Sequence, residues 1–167
     1  EAPGEEILIT GSSGFLGAYL LAGQLECWPD LRVNCLIRAK SKEKGIERIR
    51  ANLSRYGLWH SSWEERIEPI SGDLSLPSFG LDSDVFEELA SGLGGILHNG
   101  AQLSQMASYA QLAATNVGGT REVLRLATIK KPLRVELISS VAVFESAAYR
   151  NCTLDEDEDI KNWHGIH

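Results

Sequence analysis

The chain has 167 residues, 43% of them hydrophobic and 23% charged, with a formal net charge of −7. Such proportions describe an ordinary globular protein, long enough to bury a core without disulfides or a structural metal. They exclude several classes of function: no basic cluster tracks a nucleic-acid backbone, and no run approaches the ~20 apolar residues of a membrane span. The opening Glu1-Ala2-Pro3-Gly4-Glu5-Glu6 lacks the basic start and apolar core of a signal peptide, so a cytoplasmic protein is expected.

Strands and helices alternate along the whole chain. Glu6 to Thr10 reads as the first strand, and Phe15 to Gln24 as the first helix, with Leu16, Tyr19, Leu20 and Ala22 at its apolar positions. Arg32 to Ile37 is the second strand; Ser41 then caps a helix running toward Tyr56, with Ile46, Ile49, Leu53 and Tyr56 at helical spacing. Ile67 to Ile70 is a third strand, and Asp82 or Ser83 opens a helix with Val85, Phe86 and Leu89 on its inner face. Gly95 to His98 is the fourth strand, Tyr109 to Ala127 a long helix, and Val135 to Ser139 the fifth strand. Cys27 and Cys35 fall within helix and strand patterns, which predicts buried thiols for the widely spaced Cys27, Cys35 and Cys152 rather than metal ligands. An acidic run, Leu154 to Asp159, reads as solvated tail. This order predicts parallel βαβ units and right-handed crossovers: an α/β, doubly wound parallel sheet with helices on both faces.

Ligands in such sheets bind outside the carboxyl ends of the strands. The first strand ends in Thr10-Gly11-Ser12-Ser13-Gly14-Phe15-Leu16-Gly17, three glycines spaced three apart between a strand and a helix. Gly11 permits the tight turn, Gly14 lets backbone approach a pyrophosphate, and Gly17 lets the helix pack on the strand. Phosphate charge would meet the open N–H groups and positive dipole end of the helix starting near Phe15. Thr10, Gly11, Ser13, Gly14, Phe15, Leu16 and Gly17 are therefore candidate dinucleotide-binding residues.

The second strand ends at Arg38, where an enzyme selecting NAD commonly places an acid for the ribose 2′-hydroxyl. A permanent cation there suits the 2′-phosphate of NADP, and Arg48 could close its other side; both could instead be solvated surface cations. After the third strand, Asp73 could accept from an adenine amino group with Leu74 packing on the ring, or Asp73 could cap the following turn. After the fourth, Asn99, Gly100 and Ala101 are small enough for a cofactor to run close to the backbone, while His98 reads as structural. Asn116, a polar amide among small residues with Gly118 and Gly119 just beyond, suggests a functional kink or a buried hydrogen bond. The fifth strand delivers Ser139 and Ser140 toward the cleft.

These motifs together resemble the extended short-chain dehydrogenases. Thr10-Gly11-x-x-Gly14-Phe15-Leu16-Gly17, Gly72-Asp73-Leu74, His98-Asn99-Gly100-Ala101, Asn116-Val117-x-Gly119-Thr120 and Ser139-Ser140 carry the likeness. Within them, Cys35-Leu36-Ile37-Arg38-Ala39, Arg55-Tyr56-Gly57-Leu58-Trp59 and Thr120-Arg121-Glu122-Val123-Leu124-Arg125-Leu126-Ala127 are similar to the thioester reductase domains that end nonribosomal peptide and polyketide synthases. Those domains are in turn relatives of carboxylic acid and aminoadipate reductases. The resemblance covers essentially all 167 residues. It implies a Rossmann-type fold, truncated here before the substrate-binding region, residues 1–167 forming the NADP-binding part of a larger reductase domain. It also implies NADPH-dependent reduction of an acyl thioester carried on the phosphopantetheine arm of a carrier protein, giving an aldehyde or alcohol. Ser140 would match the family's catalytic Ser/Thr, and Asn116 its helix asparagine.

Two features depart from that pattern. Leu103-Ser104 stands where the family usually has an asparagine, and the catalytic Tyr-x-x-x-Lys is absent, Tyr149 being followed four residues later by Thr153. Trp163 to His167 resembles the segment just before that tyrosine, so the 167 residues are expected to bind NADPH in outline and to be catalytically silent. A nucleotide-sugar epimerase or dehydratase of the same extended group and a non-catalytic NADP-sensing domain are the alternatives.

Overall fold

The computed structural model describes residues 4–145, 147–155 and 157. They fall into two compact units, Glu1–Leu137 and Ile138–His167. Trp163 to His167 and part of the acidic run lie outside the described residues.

The first unit runs β1 (Glu6–Thr10), α1 (Phe15–Cys27), β2 (Arg32–Ile37), α2 (Lys42–Arg55), β3 (Ile67–Ser71), α3 (Ser83–Gly92), β4 (Gly95–His98), α4 (Tyr109–Ala113), a π-turn (Ala114–Gly118), α5 (Gly119–Leu126) and β5 (Arg134–Leu137). All strand pairs are parallel, in the order β3-β2-β1-β4-β5. The chain therefore reverses direction across the sheet beside β1, and the switch point lies between β1 and β4.

The period-2 alternation of each strand divides the core into two layers. Ile7, Ile9, Val33, Cys35 and Ile37 face the side covered by Ala18, Leu21, Leu25, Ile49 and Leu53 from α1 and α2. Leu8, Leu36 and Ile96 face the opposite side, against Phe86 of α3, Leu93 just beyond its end, and Val123 and Leu126 of α5. Strands apolar on both faces are what parallel sheets covered by helices require. Ser41 caps α2 as expected, its Oγ accepting from the Lys44 N–H at 3.4 Å.

Several local expectations are corrected. Ala22 is buried as expected, but Leu16 and Tyr19 are exposed, and α1 buries Ala18, Leu21 and Leu25 beside Ala22 instead. The helix is apolar nearly all round, so its periodicity does not choose a face. Its outer aromatics pack on Tyr56, with Phe15–Tyr19, Phe15–Tyr56 and Tyr19–Tyr56 centroids 5.4, 5.4 and 5.7 Å apart. Val85 is exposed, and Phe86 and Ala90 form the buried face of α3. Cys27 and Cys152 are exposed; of the three thiols only Cys35 is buried, and burial pushes it up to about 12. Strand β5 stops at Leu137, because its ladder partner β4 ends at His98, which leaves Ser139 beyond the strand. The long predicted helix is interrupted by a π-turn at Asn116, while Gly118 and Gly119 keep helical φ.

Candidate functional site

The β1–α1 turn is built for close approach. Gly11 has φ +74°, and its carbonyl accepts from the Gly14 N–H at 3.1 Å. A Cβ on Gly17 would lie 2.0 Å from the Gly11 oxygen, so only glycine lets α1 start this near β1. Gly14 differs: its missing side chain would meet only that same oxygen, at 3.4 Å, and otherwise points into open space. No side chain caps the N-terminus of α1 and its first turn has no acid, leaving N–H groups available for an anion. From α2, Asn52 Nδ2 donates to the Ser12 and Gly14 carbonyls at 3.2 and 3.0 Å, holding the turn from outside. Sequence reading missed Asn52; its one signal is an amide in mid-helix, where Asn is a poor helix former.

Beneath the turn, one hydrogen-bonded chain joins it to the π-turn. The Gly100 N–H donates to Thr10 Oγ1 at 2.9 Å, and Thr10 Oγ1 lies 2.7 Å from His98 Nδ1. On the far side His98 Nε2 lies 3.0 Å from Thr120 Oγ1, whose own proton goes to the Asn116 carbonyl at 2.7 Å. Each hydroxyl donates once, so His98 must carry its proton on Nε2 and accept at Nδ1. Thr10, expected to face the dinucleotide, is fully buried with its hydroxyl occupied in this chain; it shapes the turn from below. His98 is structural, as expected, with its pKa lowered by burial.

That lowering has a measurable consequence. The unfolded chain takes up the His98 proton at a higher pH than the folded one, so this contribution to stability is complete above about pH 6.5 and falls as the pH drops below it. One proton allows a slope of at most about 1.4 kcal/mol per pH unit. Urea unfolding between pH 5 and 7 is expected to show this extra slope in the wild type and not in His98→Gln. Equal slopes in the two proteins would remove His98 as its source.

Above the turn lies a cleft of about 530 Å³ at the β1–β4 switch point. Gly11, Ser13, Gly14, Phe15 and Leu16 line its floor, Arg38, Arg48, Asp73 and Leu74 one end, and Asn99, Gly100 and Ala101 the other wall. Gly17 is buried under the turn rather than lining the cleft. Arg38 and Arg48 stand together: Arg48 Nη1 donates to the Arg38 carbonyl at 2.9 Å, and both side chains are exposed. Asp73 Oδ1 accepts from the Ser75 N–H and hydroxyl at 2.8 and 2.7 Å, the turn-capping alternative, while the residue still borders the cleft. The Ser75 N–H, with Arg38 adding to it, holds the Asp73 carboxyl below the usual carboxylate range. Asn99 Nδ2 donates to the Gly11 carbonyl at 3.3 Å.

Asn116 does not line the cleft. Its amide pairs reciprocally with the Gln102 backbone, Oδ1 accepting from the N–H at 2.8 Å and Nδ2 donating to the carbonyl at 3.0 Å. It therefore holds the loop after β4 against the π-turn, where Gln102, Leu103 and Thr115 complete the cleft. Gln102 and Thr115 carry no sequence signal of their own, and Leu103 stands out only as a departure from the family pattern. Ser139 and Ser140 belong to the second unit, and both are exposed. Ser140 caps the turn Val141–Phe144, its Oγ accepting from the Ala142 N–H at 3.2 Å. Within the same unit Tyr149 is buried, its ring 5.5 Å from Phe144 in an edge-to-face contact. Among the described residues no cluster of His, Cys, Asp and Glu could hold a metal, and no helix is long and apolar enough to cross a membrane.

Comparison with known proteins decides the lineage. The family model described as Male sterility protein matches residues 9–163. This chain belongs to the thioester reductase (R) domain branch of the extended short-chain dehydrogenase family. It is 39% identical over 153 residues to a linear gramicidin synthase polypeptide of Brevibacillus parabrevis, covering 92% of this chain and 3% of that protein. It is 34% identical to the large subunit of the L-2-aminoadipate reductase of Penicillium chrysogenum, over 86% of this chain and 10% of the relative. Among solved structures, the terminal R domain from the myxalamid PKS-NRPS biosynthetic pathway superposes with a TM-score of 0.87 and 40% identity, covering 93% of this chain and 39% of that one. The chain thus spans a small part of the curated relatives it matches and about two fifths of that R domain. As in its relatives, the fold is a parallel α/β sheet of the short-chain dehydrogenase type.

Proposed function

We propose that this R-domain chain is the NADP-binding portion of an oxidoreductase that reduces an acyl thioester held on a phosphopantetheinyl carrier protein to an aldehyde or alcohol. The observation that carries the cofactor reading is the β1–α1 turn, where Gly14 points its missing side chain into the cleft and the uncapped α1 N-terminus faces the same space. The turn and α1 N–H groups would hold the pyrophosphate, and Asp73 and Leu74 would border the adenine. Arg38 and Arg48, the cations at this end of the cleft, would take a 2′-phosphate, since β2 itself ends in Arg38-Ala39-Lys40 rather than in an acid. When bound, the dinucleotide supplies a hydride to the thioester carbonyl. Ser140 would donate to the carbonyl oxygen, and Asn116 would keep the loop after β4 in place through Gln102. The C–S bond would then break and the carrier sulfur leave as a thiol with a proton from solvent, giving the aldehyde; the alcohol requires a second hydride from a second NADPH and a further proton. The thioester and carrier parts of this reading rest on the synthases and reductases to which the chain is similar. Three free thiols suit a reducing cytoplasm.

Cofactor oxidation by the intact protein, followed optically with an acyl-CoA or carrier-bound substrate, tests the reading. NADPH is expected to outperform NADH, and Arg38→Ala to cost one charge-assisted phosphate contact, ~1.5–3 kcal/mol or about one to two decades in NADPH affinity. NADH affinity should stay within about twofold, since that cofactor has no 2′-phosphate. Equal losses for both cofactors would remove Arg38 from the phosphate site. No thioester-dependent oxidation would overturn the proposed reaction.

A further inference from the structure

The turn Pro77–Gly80 backs the Asp73–Leu74 edge of the cleft, and two charged side chains of α5 grip it. Ser78 and Phe79 both occupy the left-handed region, at φ 50° and 59°, followed by Gly80 at 74°. Side-chain-bearing residues rarely run consecutively there, and such a conformation persists only where its surroundings over-determine it. Glu122 Oε2 accepts from the Ser78 backbone N–H at 2.7 Å and from Arg125 Nε and Nη2 at 3.0 and 2.7 Å. Arg125 Nη2 also donates to Ser78 Oγ at 2.7 Å, while its guanidinium lies 4.2 Å from the Phe86 ring centroid. Arg125 holds the Glu122 carboxyl below its usual range, so it is ionised at neutral pH. From the turn the path continues to the cleft: Phe79 is fully buried, and its carbonyl accepts from the Asp73 N–H at 2.8 Å. Leu74 packs so close to Gly119 that a Cβ there would meet its carbonyl at 2.9 Å. The cleft wall is thus referenced to α5 at two points, Glu122–Ser78 and Gly119–Leu74.

We propose that Glu122, braced by Arg125, is a positioning residue for the adenine half of the dinucleotide: it holds the Pro77–Gly80 turn in the one conformation that presents Asp73 and Leu74 to the cleft. This inference rests on the cofactor reading above. Without Glu122 the turn relaxes out of the left-handed region, and binding must first restore it. A competent fraction of about one tenth weakens apparent affinity about tenfold.

Calorimetry of the intact protein with 2′,5′-ADP and with NADPH tests it. Glu122→Ala is expected to weaken both by the same factor, about tenfold, because the whole loss lies in the adenine half. Glu122→Gln should remain within about threefold of wild type, since its amide oxygen still accepts from the Ser78 N–H. Unchanged 2′,5′-ADP affinity in Glu122→Ala overturns the inference. So does a loss confined to NADPH, or a Gln variant as weak as the Ala variant. Should Glu122→Ala fail to fold, Arg125→Met, altered at an exposed position, must show a weaker loss in the same direction; wild-type affinity there also overturns it. A wild-type protein that does not bind 2′,5′-ADP would sink the cofactor reading itself, which separates the two failures.

Discussion

Gly14→Val is expected to leave a folded protein that no longer binds the dinucleotide, with affinity down by more than about a hundredfold (~2.7 kcal/mol). The backbone can accept the change. Gly14 sits at φ −89° and ψ 176°, extended geometry in which valine is at ease. Its Cβ would make one contact, 3.4 Å to the Gly11 oxygen, at the edge of ordinary van der Waals distance. The two methyl groups would project into the cleft, over the uncapped end of α1 where the proposed pyrophosphate would come closest. A thermal melt near that of wild type, with no response to NADPH in a fluorescence titration, is the expected pair of results. Normal NADPH binding by folded Gly14→Val would show that the phosphates lie elsewhere.

Gly17→Ala, three residues on, should do the reverse and damage the fold itself. Helix propensity alone favours alanine inside α1 by about 1 kcal/mol. Sterics oppose it far more strongly: the new Cβ would lie 2.0 Å from the Gly11 oxygen and 2.8 Å from both the Gly11 carbonyl carbon and Ser12 Cα, all backbone atoms. Relief requires α1 to lift from β1, and α1 buries Leu21 and Leu25 almost completely. Burying one leucine contributes roughly 1.5–3 kcal/mol, so even partial separation of the two elements is costly. A loss of more than about 3 kcal/mol is expected, at or above the upper end for overpacked cores and a large share of the ~5–15 kcal/mol that stabilises a domain. Urea unfolding reads it directly. A Gly17→Ala protein as stable as wild type would mean that the close approach of α1 to β1 is not what holds this turn.

Features that depend on neighbours within a few residues were legible in the chain alone. The bounds of β1, β2 and β4 follow from short apolar runs ended by turn residues, and α2 begins where Ser41 can cap it. The strand–glycine–helix order at Thr10 to Gly17 marks the tight β1–α1 turn because both its φ requirement and its close packing act locally. Tertiary contacts set the rest. Which face of α1 is buried could not be read from a helix apolar nearly all round; contact with β1, β2 and α2 chose Leu21 and Leu25, and Tyr56 took the outer aromatics. Asn52 reaches the turn from 38 residues away, Glu122 reaches Ser78 from 44, and Thr10 meets His98 and Gly100 across 88 and 90. Partners that distant are set by the strand order β3-β2-β1-β4-β5, which brings β1 beside β4. Turn chemistry and side-chain period are written into adjacent residues, whereas hydrogen bonds between segments exist only once the sheet has placed them side by side.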